Sequence, residues 1–268
     1  MGESLRGLVV LISGASSGIG QGIAAEYAQY GPKMALTGRS IERLEETKKL
    51  CVERGLQESD IYLITGDVTA KEDVEHIVSS AVSHFGKLDI LINNAGATRA
   101  RNIDTCEIDD LDWCYNVLVR SVFMMSKAAI PHLEKTKGAI INMSSLAGLR
   151  PLHYALPYSM CKNMVDRFTQ ATAVSLGAKG IRINSINPAA VKTAMFDKPE
   201  GPGGNPERMK KYLDWCCAAI PLGRIGEIGE VARLASFLGS KEASFITGTN
   251  FPIDGSYSNT SYIPKLKH

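Results

Sequence analysis

The sequence predicts an α/β fold: a single-domain, doubly wound parallel sheet of about seven strands flanked by helices on both faces. Three observations support it. Short apolar segments alternate with amphipathic helical segments throughout the 268 residues. The apolar segments are continuous, as in strands buried on both faces. The composition does not change along the chain, so we expect one domain over residues 1–268.

The first half of the chain predicts four strands and three helices. Residues 8–12 are apolar throughout and end near a glycine, which is typical of a buried strand. The apolar residues of segment 19–30 share one helical face, and Gly31 and Pro32 end that helix. The same patterns place strands at 34–36, 61–64 and 88–92, and helices at 41–54 and 71–85.

The second half completes the sheet. Helices are expected at roughly 110–135, 157–176 and 227–238, and strands at 139–143, 181–186 and near 245–252. Right-handed crossovers should join the parallel strands. Residues 189–220 are irregular and include PEGPGGNP. We expect a substrate flap at about 190–220 rather than a domain boundary, because only about 60 residues follow.

Bulk properties exclude several classes of function. The formal net charge of +2 gives no reason to expect nucleic acid or an anionic membrane surface as a partner. No apolar run approaches the ~20 residues of a membrane span. The six cysteines have neither C-x-x-C spacing nor a nearby histidine pair, so no metal site is predicted. We expect reduced thiols in a cytoplasmic protein.

The stretch GASSGIG at residues 14–20 admits two interpretations. Gly14 to Gly18 matches G-x-S-x-G, the turn that presents the nucleophilic serine of α/β-hydrolases. That turn needs an earlier strand to supply an oxyanion donor, but this one follows the first strand. It also needs a later histidine in a loop, and of the five histidines only His153 is loop-like. The hydrolase interpretation is therefore disfavoured.

The second interpretation is a diphosphate-binding turn between a strand and a helix. Gly14 would permit the tight turn, and Gly18 and Gly20 would remove Cβ atoms where phosphates come close. The N–H groups of the helix that starts at Ile19 would point at the anion. The hydroxyls of Ser16 and Ser17 would be further donors. The sequence therefore predicts a dinucleotide-binding protein.

Further motifs follow the later strands in order. The turn has the spacing G-x-x-x-G-x-G, and the motifs after it are Asp67-Val68, Asn93-Asn94-Ala95-Gly96, Asn116, Ser144-Ser145, Tyr158-Ser159-Met160-Cys161-Lys162, Asn187-Pro188 and Ile253-Asp254-Gly255. This ordered set, over residues 6 to 257, resembles the short-chain dehydrogenase/reductase family. The resemblance implies a Rossmann fold and an NAD(P)-dependent oxidoreductase acting on alcohols or ketones.

The candidate catalytic residues are Tyr158, Lys162, Ser145 and Asn116. Tyr158 and Lys162 are four residues apart on one predicted helix, so they share a face. A nearby ammonium and a cationic nicotinamide both favour the phenolate, so we expect a lowered pKa that suits an acid/base group. Ser145 would hydrogen-bond the substrate oxygen. The resemblance implies that Lys162 holds the nicotinamide ribose and that Asn116 holds a water linking Lys162 to solvent.

The resemblance also implies the remaining cofactor contacts. Asp67 would accept a hydrogen bond from the adenine amino group, with Val68 packed nearby. Asn94, Ala95 and Gly96 would line the adenosine-side ribose and the diphosphate. Pro188, Val191 and Thr193 would frame the nicotinamide amide. Many members carry glycine after the proline, where this chain has Ala189.

The end of the second strand predicts NADP in preference to NAD. NAD-binding members of such folds place an acid about 20 residues beyond the glycines. Here that stretch contains Arg39 and Ser40, and the first carboxylate is Glu42. Arg39 can pair with a 2′-phosphate, with Ser40 as a second donor. Alternatively, Arg39 stacks on the adenine without selecting either cofactor.

The candidate substrate residues are mainly apolar: Leu146, Leu152, Met195 and Phe196, beside Ser145 and Tyr158. They favour a lipophilic secondary alcohol or ketone as the small-molecule substrate. A 3-oxoacyl thioester reductase remains an alternative. So does a catalytically silent NADP-binding regulator, although intact Ser145, Tyr158 and Lys162 oppose it. In this family helices like 110–135 and 157–177 pair in a homodimer or homotetramer, while packing against the sheet explains their apolar residues equally well.

Overall fold

The computed structural model describes residues 2–193 and 205–260. Within them seven strands form one sheet: β1 (Val9–Ser13), β2 (Lys33–Gly38), β3 (Ile61–Thr65), β4 (Ile90–Asn93), β5 (Ala139–Met143), β6 (Arg182–Pro188) and β7 (Asn250–Ile253). Their order is β3-β2-β1-β4-β5-β6-β7, and every neighbouring pair is parallel. The order reverses between β1 and β4, which is where sheets of this kind bind ligands at their carboxyl edge.

The described helices cover both faces of the sheet. They are α1 (Gly2–Leu5), α2 (Gly18–Ala28), α3 (Ile41–Glu53), α4 (Lys71–Phe85), α5 (Ile108–Tyr115), α6 (Ser121–Thr136), α7 (Leu146–Leu149), α8 (Leu156–Gly177), α9 (Pro206–Ala219) and α10 (Ile228–Gly239). A π-helical segment, Asn116–Arg120, joins α5 to α6.

Two hydrophobic cores hold the layers together. One lies between the sheet and α2, α3 and α10, and includes Tyr27, Leu44 and Val231. The other lies between the sheet and α4, α6 and α8, and includes Ile77 and Met125. All five residues of β1 are buried because helices cover both faces of that strand. The predicted single α/β domain with a doubly wound sheet is confirmed.

Three elements differ from the sequence-based expectations. The long helix expected over 110–135 is interrupted by the π-helical segment 116–120. The last strand is shorter than 245–252, because only residues 250–253 pair with β6. Part of the stretch expected to be irregular forms α9, whose Cys216 and Ala219 are buried one helical turn apart. Met195 and Phe196 of the expected flap lie outside the described residues.

None of the helices in the described ranges is both long enough and apolar enough to span a bilayer.

Candidate active site

The turn after β1 is tied to the loop after β4. Gly14 has a φ of 64°, in the left-handed region that favours glycine. The Ser13 hydroxyl accepts hydrogen bonds from the backbone N–H of Asn94 at 3.0 Å and of Ala95 at 3.1 Å. The Asn94 side-chain amide donates to the carbonyls of Ser13 and Gly14 at 3.0 and 3.1 Å. Asn94 therefore shapes the glycine turn through its own side chain.

The glycines of this turn have different structural roles. A Cβ on Gly20 would collide with the Gly14 carbonyl oxygen and the Asn94 amide. Gly20 is therefore required by the close approach of α2 to the turn, and its predicted contact with phosphate stays a prediction. Gly18 has a φ of 58°, and the nearest atom to a Cβ built there is on Thr193, 3.7 Å away. A Cβ at Gly18 would therefore make only an ordinary contact with Thr193, and its predicted role at a phosphate stays a prediction.

The amino end of α2 fits a diphosphate. Ser17 is the N-cap residue, but its side chain accepts no capping hydrogen bond. The first N–H groups of a helix have no partner within that helix, so those of the turn from Gly18 to Gly20 can bind an anion. Ser16 and Ile19 are partly buried beside them. These donors could hold the diphosphate of a dinucleotide.

Arg39 and Ser40 directly follow β2 at the carboxyl edge of the sheet. Arg39 is exposed and forms no ion pair or hydrogen bond with a described residue. Ser40 instead caps α3: its hydroxyl donates to Glu42 at 2.7 Å and accepts from the Arg43 N–H at 3.3 Å. Because the Ser40 hydroxyl already donates its proton to Glu42, Arg39 is the main candidate donor to a 2′-phosphate.

Asp67 and Val68 lie in the loop after β3. One Asp67 carboxylate oxygen accepts hydrogen bonds from the N–H and the hydroxyl of Thr69 at 2.9 and 2.8 Å. The other oxygen has no hydrogen-bond partner among the described residues, so it remains available to a ligand. Val68 packs on the edge of the second core.

Three of the four predicted catalytic residues come together. Lys162 and Tyr158 lie on α8, with the Lys162 Nζ 5.7 Å from the Tyr158 ring centroid. Ser145 is the N-cap of α7, where its hydroxyl accepts the Ala147 N–H at 3.1 Å, and it lies near enough to Tyr158 to oppose the rise in the pKa of that phenol. The Lys162 Nζ donates to the Met143 carbonyl at 2.6 Å. This places a phenol, a hydroxyl and an ammonium at the carboxyl end of β5.

Burial controls the protonation of this cluster. Burial raises the pKa of Tyr158 above its ordinary value. The interaction with Ser145 has a smaller effect and lowers that pKa. The predicted lowering of the Tyr158 pKa is therefore not found in the chain itself, because loss of solvation outweighs the favourable contacts. Burial lowers the pKa of Lys162 to about 8, while the charge of Asp166 opposes that shift.

The fourth predicted residue, Asn116, does not join the cluster. Asn116 is exposed. Leu118 is instead 1% exposed and packs with Cys114, Cys161 and Tyr158. A Cβ on Gly96 would lie 3.0 Å from the Leu118 side chain and 3.9 Å from the Lys162 Nζ. Side chains two positions apart point to nearly opposite sides of a helix, so an apolar residue takes the position facing Lys162.

A buried polar network next to the cluster was missed by the sequence reasoning. Asp166 is 2% exposed and accepts hydrogen bonds from the Ser185 hydroxyl at 2.9 Å and the Asn187 amide at 2.8 Å. The same Asn187 amide nitrogen donates to the Ser145 carbonyl at 3.0 Å. The available signal was an acid four residues after Lys162, on the face of the helix that also carries Tyr158.

The loop after β6 crosses the mouth of the site. Pro188 ends β6, and the Ala189 N–H donates to the Ile253 carbonyl at 3.2 Å. Ala189 does not have a positive φ, so its methyl group fits without backbone strain. Val191 pairs with Gly226 in an isolated parallel bridge, and Thr193 lies beside Gly18. This loop therefore approaches the glycine turn, as a residue set around a nicotinamide would.

Aromatic and apolar side chains form the outer wall of the site. The Trp215 ring lies 6.4 Å from the rings of Tyr154 and Tyr257 and 6.3 Å from that of Tyr212. Leu146 is 4% exposed and belongs to the same apolar cluster as Tyr257. Leu152 is half-buried at the start of the segment that leads into α8.

The three arginines near this wall are engaged within the protein. Arg99 and Arg101 pair with the Asp110 carboxylate at 2.9 and 3.2 Å. Arg150 stacks on the Tyr257 ring at 5.1 Å and donates to the Tyr257 carbonyl at 2.7 Å. Their guanidinium groups are therefore occupied by internal partners.

The doubly wound sheet with its glycine turn defines a dinucleotide-binding oxidoreductase of the Rossmann type. A family model described as enoyl-(acyl carrier protein) reductase matches residues 14–258. The chain belongs to the short-chain dehydrogenase/reductase family, and it is a short-chain alcohol dehydrogenase that acts on CH–OH groups and binds NAD(P).

Similar proteins agree on this family. The meso-2,3-butanediol dehydrogenase of Serratia marcescens is 34% identical over 96% of this chain and 97% of its own length. The 3-oxoacyl-(acyl-carrier-protein) reductase of Thermotoga maritima is 33% identical over 94% and 98%. A short-chain dehydrogenase/reductase of unknown function from Caenorhabditis elegans, crystallised with cofactor, is 32% identical with a TM-score of 0.87, covering 96% of this chain and 97% of that chain.

Proposed function

We propose that this enzyme transfers a hydride between NADP(H) and a lipophilic secondary alcohol or ketone. The observation that carries the proposal is the convergence of Ser145, Tyr158 and the Lys162 ammonium at the carboxyl end of β5. When bound, the nicotinamide supplies or accepts the hydride, and its oxidised form carries a positive charge. The residues of the chain have to bind the substrate oxygen and move one proton at that atom.

Each of the three side chains has a distinct proposed role. In ketone reduction, Tyr158 donates its phenolic proton to the substrate oxygen, and Ser145 stabilises the same oxygen with a hydrogen bond. The ammonium of Lys162 stabilises the phenolate that remains. In alcohol oxidation the phenolate accepts the proton. Lys162 also lies where it can hold the nicotinamide ribose, beside Gly96.

The proposed cofactor contacts follow the carboxyl edge of the sheet. The diphosphate would bind between Gly14 and Gly20, at the amino end of α2. Arg39 would bind the 2′-phosphate, and its lack of a partner among the described residues supports NADP over NAD. Asp67 and Val68 would lie at the adenine, Asn94, Ala95 and Gly96 along the ribose and diphosphate, and Pro188, Val191 and Thr193 around the nicotinamide amide.

The outer wall supports a lipophilic substrate. Leu146 and the aromatic cluster around Trp215 offer apolar surface. The nearby arginines are paired internally, which disfavours a carboxylate or phosphate on the substrate. The Serratia marcescens relative is named as acting on a secondary diol, which is consistent with the reaction class.

Steady-state kinetics test this proposal. Wild-type enzyme would be assayed with ketones, steroids, retinoids, sugars and 3-oxoacyl thioesters, using NADPH and NADH in turn. We expect the highest kcat/KM for a lipophilic ketone with NADPH. An equal or higher kcat/KM with NADH would refute the NADP preference. A preference for sugars would refute the lipophilic substrate.

Reduction of a 3-oxoacyl thioester is the second candidate function. The Thermotoga maritima relative named for that reaction covers nearly the whole chain, which favours it. The same panel discriminates the two functions. Under this second candidate, 3-oxoacyl thioesters would exceed free ketones of equal chain length in kcat/KM by a large factor.

We further propose a homodimer or homotetramer. The outer faces of α6 and α8 expose Phe123, Met160, Met164 and Val174, which are apolar side chains suited to a subunit contact. Gel filtration at the mass of a single 29.0 kDa chain would refute this. The six cysteines are all free thiols, which supports a reducing compartment such as the cytoplasm.

A further inference from the structure

A buried carboxylate lies one helical turn beyond Lys162. Asp166 is 2% exposed and Lys162 is 5% exposed, and both lie on α8. A Cβ on Gly148 would collide with an Asp166 carboxylate oxygen and lie 2.8 Å from the Lys162 carbonyl carbon. Because Gly148 has no side chain, the segment that follows Ser145 packs directly against this turn of α8.

Hydrogen bonds connect this carboxylate to Ser145. The Asn187 amide nitrogen lies 2.8 Å from the Asp166 carboxylate and 3.0 Å from the Ser145 carbonyl, so it bridges the two. The Ser185 hydroxyl donates to the other carboxylate oxygen at 2.9 Å. Bonds to an ionised acceptor are stronger than neutral ones. A charged Asp166 therefore fixes Asn187, and Asn187 fixes the backbone that carries the Ser145 hydroxyl.

The charge of Asp166 also balances that of Lys162. The Lys162 ammonium donates to a neutral carbonyl, that of Met143, and a buried ion without an opposite charge is costly. Among the described residues, the titratable groups that interact with Lys162 are Asp166, Cys161 and Tyr158. Of these three, Asp166 is the only carboxylic acid, so it is the group that supplies a negative charge opposite the ammonium.

In the described part of the chain, the segments packed around Asp166 contribute no second charge. Ser144, directly after β5, and Ser185 and Asn187 of β6 present neutral side chains to it, and Lys162 is the charged group that interacts with it. Burial raises the pKa of Asp166, and the three hydrogen bonds and the lysine lower it. Because their environment is nearly closed to solvent, the ionisation of Asp166 and that of Lys162 depend on each other.

We propose that Asp166 is a positioning residue for this reaction: it keeps Lys162 protonated and, through Asn187, holds Ser145 in place. The inference rests on the roles proposed above for Ser145, Tyr158 and Lys162. Asp166, which is not one of those three residues, thereby controls both the charge of Lys162 and the position of Ser145. Asp166 acts through these neighbours and does not itself contact the reacting atoms.

The charge part of the proposal is tested by the titration of Lys162, independently of activity. Protein labelled with ¹³C-lysine would be titrated by NMR, and the Lys162 resonance would be identified by its loss in Lys162→Arg. Removal of the carboxylate in Asp166→Asn should lower the Lys162 midpoint by at least about half a pH unit, because an adjacent opposite charge shifts a pKa by about 1–3 units. An unchanged midpoint would overturn the proposal.

A matched substitution controls for general effects. Asp89 is another buried carboxylate, but it lies before β4, where it accepts the Val9 N–H at 2.7 Å and pairs with Lys87. Asp89→Asn should leave the Lys162 midpoint unchanged. A fall equal to that in Asp166→Asn would show that the effect is not specific, and would overturn the proposal.

A reciprocal measurement applies if Asp166→Asn does not fold. The coupling between two ionisable sites is symmetric, so removing the ammonium must affect the carboxylate equally. In protein labelled with ¹³C-aspartate, Lys162→Met should raise the Asp166 midpoint. No change in that midpoint would overturn the proposal.

The kinetic consequence separates this inference from the proposed function. Asp166→Asn should reduce kcat at least about tenfold and move the basic limb of kcat/KM to lower pH, with KM little changed. A purely structural role would leave the position of that limb unchanged, and this outcome would overturn the proposal. If wild-type enzyme has no alcohol or ketone activity, the proposed function fails, while the NMR titrations still decide whether Asp166 controls Lys162.

Discussion

The ammonium nitrogen of Lys162 lies 5.7 Å from the centre of the Tyr158 ring, and both side chains come from adjacent turns of α8. A nearby ammonium favours the ionised form of a phenol. Because Lys162 is buried and Tyr158 is partly buried, solvent screens the interaction weakly. Helix α8 thus fixes the distance between the ammonium and the phenol, on which the proposed proton transfer depends.

The first prediction concerns the dependence of activity on pH. Burial holds the pKa of Lys162 at about 8, so the ammonium is present below that pH and is lost above it. The kcat/KM for NADPH should therefore fall above about pH 8, since this parameter reports ionisations of the free enzyme. Lys162→Arg, whose guanidinium remains charged, should be slower but should lose that limb. A wild-type profile that stays flat to pH 10 would contradict the assignment.

The second prediction concerns cofactor choice. Arg39→Ala should lower kcat/KM for NADPH about 10- to 100-fold and change that for NADH little, because it removes a charged bond to the 2′-phosphate. Arg43→Ala is the matched control, since Arg43 is also exposed, on the first turn of α3. It should affect neither cofactor. An equal loss with both cofactors in Arg39→Ala would instead indicate stacking on the adenine.

The third prediction separates Asn116 from Leu118. Asn116 is exposed, so Asn116→Ala should leave kcat within about twofold of the wild-type value. Leu118 is buried against Tyr158 and Cys161, so Leu118→Ala should reduce the free energy of unfolding by about 2–5 kcal/mol. Turnover assays and urea denaturation measure the two effects. A hundredfold loss of kcat in Asn116→Ala would restore the role that the sequence predicted for it.

The fourth prediction concerns the glycine turn. Gly20→Ala would push a methyl group into the Gly14 carbonyl and the Asn94 amide, and should destabilise the protein by about 1–3 kcal/mol and weaken NADPH binding. Gly177→Ala is the control, because no atom lies within 4 Å of the added methyl at the end of α8. It should be neutral or stabilise by up to about 1 kcal/mol. Equal thermal stability of the two variants would contradict the packing role of Gly20.

Local sequence patterns predicted most of the sheet. The first six strands are continuous apolar runs or alternate with well-marked helices, and burial on both faces imposes that pattern directly. The glycine turn was also predictable from the local sequence. A glycine-rich turn between a strand and a helix, as here between β1 and α2, indicates a diphosphate-binding turn. Tyr158 and Lys162 could be paired from sequence because four residues make about one helical turn.

Features set by distant contacts were not predictable in this way. The predicted role of Asn116 came from the family resemblance, whereas the π-helical segment 116–120 and the burial of Leu118 appear only in the packed structure. The contact between Gly20 and Asn94 joins segments more than 70 residues apart in sequence. The network of Asp166, Ser185 and Asn187 requires the register of β6 against α8, which no local pattern specifies.

The central claim is that the phenol of Tyr158 meets the substrate oxygen while the carbonyl carbon faces the reactive side of the nicotinamide. A crystal structure of the enzyme with NADP and a substrate analogue tests it most directly. We expect one carbonyl group to contact both the Tyr158 hydroxyl and the nicotinamide ring, with reacting atoms about 3–3.5 Å apart. A nicotinamide ring bound so far from Tyr158 that no single carbonyl group could reach both would contradict the account.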